Sequence, residues 1–168
     1  MRVRRSVAVN ALLLALVVVS GCPCGGPKPP PPPMPFTLCL QANARLNWYE
    51  GRSHGLFVRV FQLSSPEAFL QADLGALLTR KPDVPGAVGP PADRTVQPGN
   101  GIAVEILKSP DAHFVGVVGG YYSPAGTPKA TRSFADLEAE EACEDLDAGE
   151  PNWVHLGANG ILTLEREE

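Results

Sequence analysis

Eight consecutive residues, Leu56-Phe57-Val58-Arg59-Val60-Phe61-Gln62-Leu63, are apolar on both alternating faces except at Arg59 and Gln62. Successive side chains of an extended strand point to opposite sides, so this run has no face to leave in water. It belongs in the middle of a sheet covered on both sides.

The flanking segments suit that demand. In 36–47, Leu38, Leu40, Ala42 and Ala44 alternate with Thr37, Gln41 and Asn43, the period of a half-exposed strand. After Leu63, Ser64-Ser65-Pro66-Glu67 has the form of a helix start: either serine can cap, Pro66 suits the first turn, and Glu67 completes a capping box with Ser64. Phe69, Leu70, Leu74, Leu77 and Leu78 then give one apolar stripe, and Lys81-Pro82 ends the helix. A Pro/Gly-rich loop spans 82–93. Strand patterns follow at 94–97, 102–107 and 113–122, with a closing hairpin of 153–156 and 161–164 about Asn159-Gly160, a dipeptide that accepts two positive φ angles. Segment 136–150 holds eight acidic residues and no basic one; Ser133 could cap a short helix there, but the apolar stripe is weak. Seven short strands with one inserted amphipathic helix predict a mainly β domain, an antiparallel β-sandwich.

The first 35 residues lie outside that domain. Arg2, Arg4 and Arg5 precede an unbroken apolar run from Ala11 to Val19, too short for a permanent span and suited to a signal sequence. Val19-Ser20-Gly21-Cys22 resembles a lipobox, which implies cleavage after Gly21 and lipid on Cys22. Two or three acyl chains make a stable tether, since each buried CH₂ adds ~0.8 kcal/mol. Pro23 stands where an Asp would favour inner-membrane retention under the enterobacterial sorting rule, which points to the outer membrane. Residues 23–35, PCGGPKPPPPPMP, cannot pack a core and favour extended polyproline II, a spacer reaching about 40 Å. The expected organisation is a signal peptide 1–21, a lipidated linker 22–35 and a periplasmic domain 36–168.

Removing residues 1–21 takes away three basic side chains and no acidic one, leaving 11 against 18 and a net charge of −7. That balance argues against nucleic acid and anionic lipid surfaces as partners. With Cys22 given to lipid, the most economical pairing in an oxidising compartment is Cys39 with Cys143; two buried free thiols are the alternative. Cys24 is left over.

Motifs of catalysis are missing. His54, His113 and His155 have no second ligand at a metal-site spacing, and neither a G-x-S-x-G elbow, a P-loop nor a dinucleotide-binding glycine signature occurs. Gly116 and Gly119-Gly120 lie within a strand pattern, where close packing explains them better than phosphate binding. No cofactor, metal or catalytic residue is expected. The segment that stands out is Asn47-Trp48-Tyr49-Glu50-Gly51-Arg52-Ser53-His54, a loop with adjacent aromatics and an arginine, as in protein interfaces. Trp48 or Tyr49 could equally fold back as a plug at the sandwich end.

The order of these features resembles the outer-membrane lipoprotein family of the type VI secretion system (TssJ). The likeness rests on the lipobox and spacer, a strand ending at Leu46-Asn47, Gly-Leu-Phe-Val-Arg-Val-Phe-Gln-Leu-Ser, Phe69, a helix ending in Leu-Leu, Gln97-Pro98-Gly99 and Phe114-Val-Gly-Val-Val. It covers most of 36–122 and is strongest over 55–78. Where many members carry a Trp-Arg pair after the Gly-Val-Val strand, this chain reads Lys129-Ala-Thr-Arg-Ser-Phe134, and the acidic segment 136–150 is an unfamiliar insertion. The resemblance implies a transthyretin-like sandwich on the periplasmic face of the outer membrane. It also implies binding to the periplasmic C-terminal domain of the inner-membrane scaffold protein (TssM) through the first inter-strand loop, here Asn47 to His54. The alternatives are another envelope-assembly or pilotin-like lipoprotein, or a periplasmic enzyme or small-ligand binder on the same fold, which would show a deep polar pocket.

Overall fold

The computed structural model describes residue 32, residues 34–137, residue 143 and residues 152–162. The expected signal sequence, Cys22, most of the linker and most of the acidic segment lie outside these residues. Strands are β1 (Met34–Ala42), β2 (Leu56–Leu63), β3 (Ala92–Val96), β4 (Gly101–Lys108), β5 (Phe114–Gly119), β6 (Lys129–Ser133), β7 (Trp153–Leu156) and β8 (Ile161–Leu162). They form two four-stranded sheets, ordered β4-β1-β7-β8 and β3-β2-β5-β6. The domain is mainly β, as the strand patterns predict. One pair, β1 with β7, is parallel; the remaining pairs are antiparallel.

β2 lies between β3 and β5, and its two apolar faces have two different covers. Leu56, Val58 and Val60 pack with Leu38, Leu40, Val104 and Val117 into the core between the sheets. Phe61 and Leu63 face outward into a second cluster with Phe69, Leu77 and Val118. Gly116 makes room for it: a Cβ there would lie 2.8 Å from Leu63 Cδ1 and 3.1 Å from the Phe69 ring. Truncating a buried phenylalanine such as Phe69 to alanine typically costs about 3–5 kcal/mol.

The polar exceptions in β2 are also accounted for. Gln62 Nε2 donates to Leu107 O at 3.1 Å and its Oε1 accepts from Ser109 N at 2.8 Å, so it ties β2 to the end of β4. Arg59 is buried; it pairs with Asp93 and donates to the carbonyls of Leu77 and Thr79.

Three local expectations need correction. The single helix is two short ones, α1 (Glu67–Gln71) and α2 (Leu74–Leu77), because Ala72 and Asp73 turn extended and the Asp73 side chain accepts from Ala76 N. A new cap inside the apolar stripe restarts the helix on a new axis. The capping box is not formed: Pro66 occupies the cap position without a side-chain bond, while Ser64 Oγ donates to Gly86 O. The Asn159-Gly160 turn has no positive φ, and the loop between β7 and β8 spans four residues. Gly160 serves close approach instead, since a Cβ there would lie 3.0 Å from the backbone of Gly126. The eighth strand, β6, has no apolar alternation strong enough to announce it; it pairs along β5 from Val118–Lys129 to Phe114–Ser133.

Cationic side chains from the sheet cap both helices. Arg59 takes the Leu77 carbonyl at the end of α2 and the Thr79 carbonyl just beyond it, and Lys129 Nζ donates to Leu70 O at 2.6 Å and Ala72 O at 2.7 Å at the end of α1. Each satisfies carbonyls that a helix leaves unpaired and suits the negative end of its dipole. Cys39 on β1 and Cys143 are joined by a disulfide with Cα atoms 5.6 Å apart.

Candidate functional site: the loop end of the sandwich

At one end of the sandwich, the β1–β2 connection meets three others. Asn43 O accepts from Gly99 N at 3.2 Å, Trp48 N donates to Ala158 O at 2.8 Å, and Asn159 O accepts from Ala125 N at 3.2 Å. Backbone hydrogen bonds therefore weld loops from four parts of the chain into one surface.

Asn47 organises the β1–β2 loop. It is 2 % exposed and takes the left-handed conformation at φ 47°, which asparagine tolerates better than most residues. Its Nδ2 donates to Gly55 O at 3.1 Å, bridging the loop, and its Oδ1 accepts from Tyr122 N at 2.8 Å. Asn47 thus holds the loop from within.

Beyond it the chain makes a miniature hairpin. Tyr49 N donates to Arg52 O at 3.0 Å and Arg52 N to Tyr49 O at 3.2 Å. Between them Glu50 and Gly51 have φ of 49° and 78°, the two positive angles of a primed two-residue turn. Ser53 Oγ anchors the return by donating to Ala44 O at 2.8 Å. His54 Nδ1 lies 3.3 Å from Asn47 O, and Arg52 Nε donates to His54 Nε2 at 3.2 Å.

The two aromatics resolve differently. Tyr49 is 41 % exposed, whereas Trp48 is half-buried under the Arg45 guanidinium, which lies 4.5 Å from its ring centre. Neither is a core plug. Tyr49 stacks on Tyr122, centroids 5.4 Å apart at 30°, and His54 meets the same ring edge-on at 5.1 Å. Tyr122 is 64 % exposed. Sequence reasoning missed it because it stands 75 positions from Asn47; the available signal was a second adjacent pair, Tyr121-Tyr122, at the end of a strand. Its neighbour Tyr121 points inward and is buried.

Two other clefts among the described residues lack the arrangement of a catalytic site. One brings His113, Ser133 and Lys108 to the same wall. Yet Ser133 Oγ accepts from Ala135 N at the start of a 3-10 turn, Lys108 lies over the Phe134 ring, and no hydrogen bond joins His113 to Ser133. Another, of about 430 Å³, is lined by Thr37, Glu105, Trp153 and the disulfide, with no histidine. Among the described residues no group of three or more His, Cys, Asp or Glu is placed to hold a metal ion, and no helix is long and apolar enough to cross a membrane.

A four-on-four sandwich with helices on one outer face and an aromatic loop end defines the class, a β-sandwich domain built around a displayed turn. The family model described as "T6SS-SciN: Type VI secretion lipoprotein, VasD, EvfM, TssJ, VC_A0113" matches residues 35–152. The chain belongs to this type VI secretion lipoprotein family, which is a family of structural components and not of enzymes. Among solved structures it is similar to one described as "Type VI membrane complex" (TM-score 0.66, 23 % identity, 79 % of this chain and 98 % of that one). It is also similar to "T6SS protein TssM C-terminal domain (869-1107) from EAEC" (TM-score 0.65, 22 % identity, 79 % and 98 %). A third is the Serratia marcescens Lip, "a membrane bound component of the Type VI Secretion System" (TM-score 0.63, 18 % identity, 79 % and 99 %). At these identities the likeness is one of fold. No curated protein matches the chain by sequence.

Proposed function

We propose that this protein is the lipoprotein of a type VI secretion membrane complex, anchored in the outer membrane through lipid on Cys22, with no catalytic activity of its own. Residues 1–21 are its signal peptide, 22–35 its lipidated spacer and 36–168 its periplasmic domain. It binds the periplasmic C-terminal domain of the inner-membrane scaffold protein through loop 47–54. Trp48, Tyr49, Glu50, Gly51, Arg52, Ser53 and His54 form the displayed turn, and Asn47 positions it.

The observation that carries this reading is the exposed, internally braced hairpin at 49–52 on a member of this family. A rigid loop loses little conformational freedom on docking, so its aromatic contacts count more fully toward affinity. The fold neighbours include chains from a type VI membrane complex and from a TssM C-terminal domain structure, which supports the choice of partner. Deleting residues 48–53 and measuring binding to the purified scaffold domain tests it. Loss of binding is expected; unchanged affinity overturns the loop assignment.

A further inference from the structure

We propose that the docking surface is built from two separated segments, loop 47–54 and Tyr122, and that it takes a partner surface with an apolar centre rimmed by carboxylates. This rests on the functional reading above and specifies the face of the partner that meets it.

The apolar centre follows from the rings. Tyr49 and Tyr122 are the exposed aromatic side chains among the described residues, and they stack on each other with His54 against them. Aromatics that stay in water, packed together on a braced frame, are the usual anchors of an interface. Tyr122 belongs to the frame through its backbone N–H on Asn47 Oδ1, so the two segments are presented as one unit.

The rim follows from charge. The loops of this end, residues 43–55, 97–100, 120–128 and 157–160, contain Arg45, Arg52, Glu50 and His54 as their only charged or titratable groups other than the three tyrosines Tyr49, Tyr121 and Tyr122. They carry a formal +1 on a chain whose residues 22–168 carry −7. The single ion pair among the described residues is Arg59–Asp93, so neither Arg45 nor Arg52 meets a carboxylate there. Arg45 lies over Trp48 and Arg52 donates to His54, which sets both guanidinium groups beside the loop's own aromatic rings. A cationic, aromatic end on an acidic molecule selects carboxylates and speeds encounter with them. A second copy of this chain would bring two cationic ends together, and fits less well.

The test uses the full-length protein in detergent and the immobilised scaffold domain. Tyr122→Ala is expected to weaken binding roughly tenfold or more, as a central aromatic contact does, while Tyr122→Phe binds like the wild type. Arg45→Glu and Arg52→Glu should slow association, and added salt should slow the wild type more than either variant. An unchanged thermal midpoint shows that Tyr122→Ala is folded, and a photo-crosslinking side chain at position 122 should join the partner at an apolar residue, whereas one at position 52 should join it next to an acidic residue. If the wild type fails to bind the scaffold domain, the functional reading falls and this proposal with it. If deleting 48–53 abolishes binding but Tyr122→Ala and both charge reversals leave it unchanged, the functional reading stands and the two-segment surface is overturned. Binding to anionic phosphatidylglycerol vesicles in place of the scaffold domain would also overturn it.

Discussion

Arg59 and Asp93 face each other across β2 and β3 and are joined by two parallel hydrogen bonds, Nε to Oδ1 at 2.6 Å and Nη2 to Oδ2 at 2.8 Å. The remaining guanidinium nitrogen reaches the end of α2, so one side chain links edge strand, central strand and helix. Asp93→Asn is expected to cost about 1–2 kcal/mol, the low end for a charged hydrogen bond because the carboxylate is half in water. Urea unfolding measures it. No change in midpoint would show that the carbonyls of Leu77 and Thr79 suffice for Arg59.

The same pair sets a pH dependence. The hydrogen bond from Arg59 holds the Asp93 carboxyl below the usual carboxylate range, outweighing desolvation, with the charges of Arg59 and Arg94 adding to it. A lowered folded-state value gives stability that is complete above the unfolded-state value of about 4 and is lost as pH falls through the folded-state one. The wild-type urea midpoint should therefore fall more steeply below about pH 5 than that of Asp93→Asn. Parallel curves would contradict the assignment.

The Cys39–Cys143 bond spans 104 residues. Closing a loop of that length restricts the unfolded chain, so the Cys39→Ala/Cys143→Ala protein should lose about 3–5 kcal/mol. Thermal melts with and without reductant test this: reduced wild type should melt near the double variant, and equal melting of oxidised and reduced wild type would refute it.

Tyr121 carries its hydroxyl into the sandwich end without a hydrogen-bond partner, and burial pushes its pKa up. Removing an unsatisfied buried polar group relieves its desolvation, so Tyr121→Phe should stabilise by about 1 kcal/mol. Destabilisation of similar size would mean that the hydroxyl is satisfied in solution.

Gly160→Ala drives a methyl group into the backbone of Gly126 and Thr127, all contacts being 3.0 Å. The neighbours are main chain and cannot rotate away, so a loss of about 1–3 kcal/mol is expected, as for an overpacked core. A wild-type midpoint for this variant would show that loop 124–127 yields freely.

The strand patterns carried most of the fold. The apolar run at 56–63 could sit only in the middle of a doubly covered sheet, and there β2 lies. β6 was hidden because Lys129-Ala-Thr-Arg-Ser spends its polar residues on tertiary work: Lys129 caps α1, and Ser133 caps the 3-10 turn. The parallel β1–β7 contact joins segments more than a hundred residues apart and leaves no local trace. In the site, the loop was legible because Trp48 and Tyr49 stand together beside Arg52. Tyr122 was not, because its place depends on one hydrogen bond to Asn47 Oδ1.

β1 is the first strand after the proline-rich stretch, and it lies inside its sheet with β4 on one side and β7 on the other. If the domain is tethered through that stretch as proposed, a tug along it reaches an interior strand within five residues. From Met34 to Leu38 β1 is paired with β4 alone; from Cys39 onward a second row of backbone hydrogen bonds to β7 and the covalent crosslink join it, so unzipping of the first rungs is stopped at Cys39.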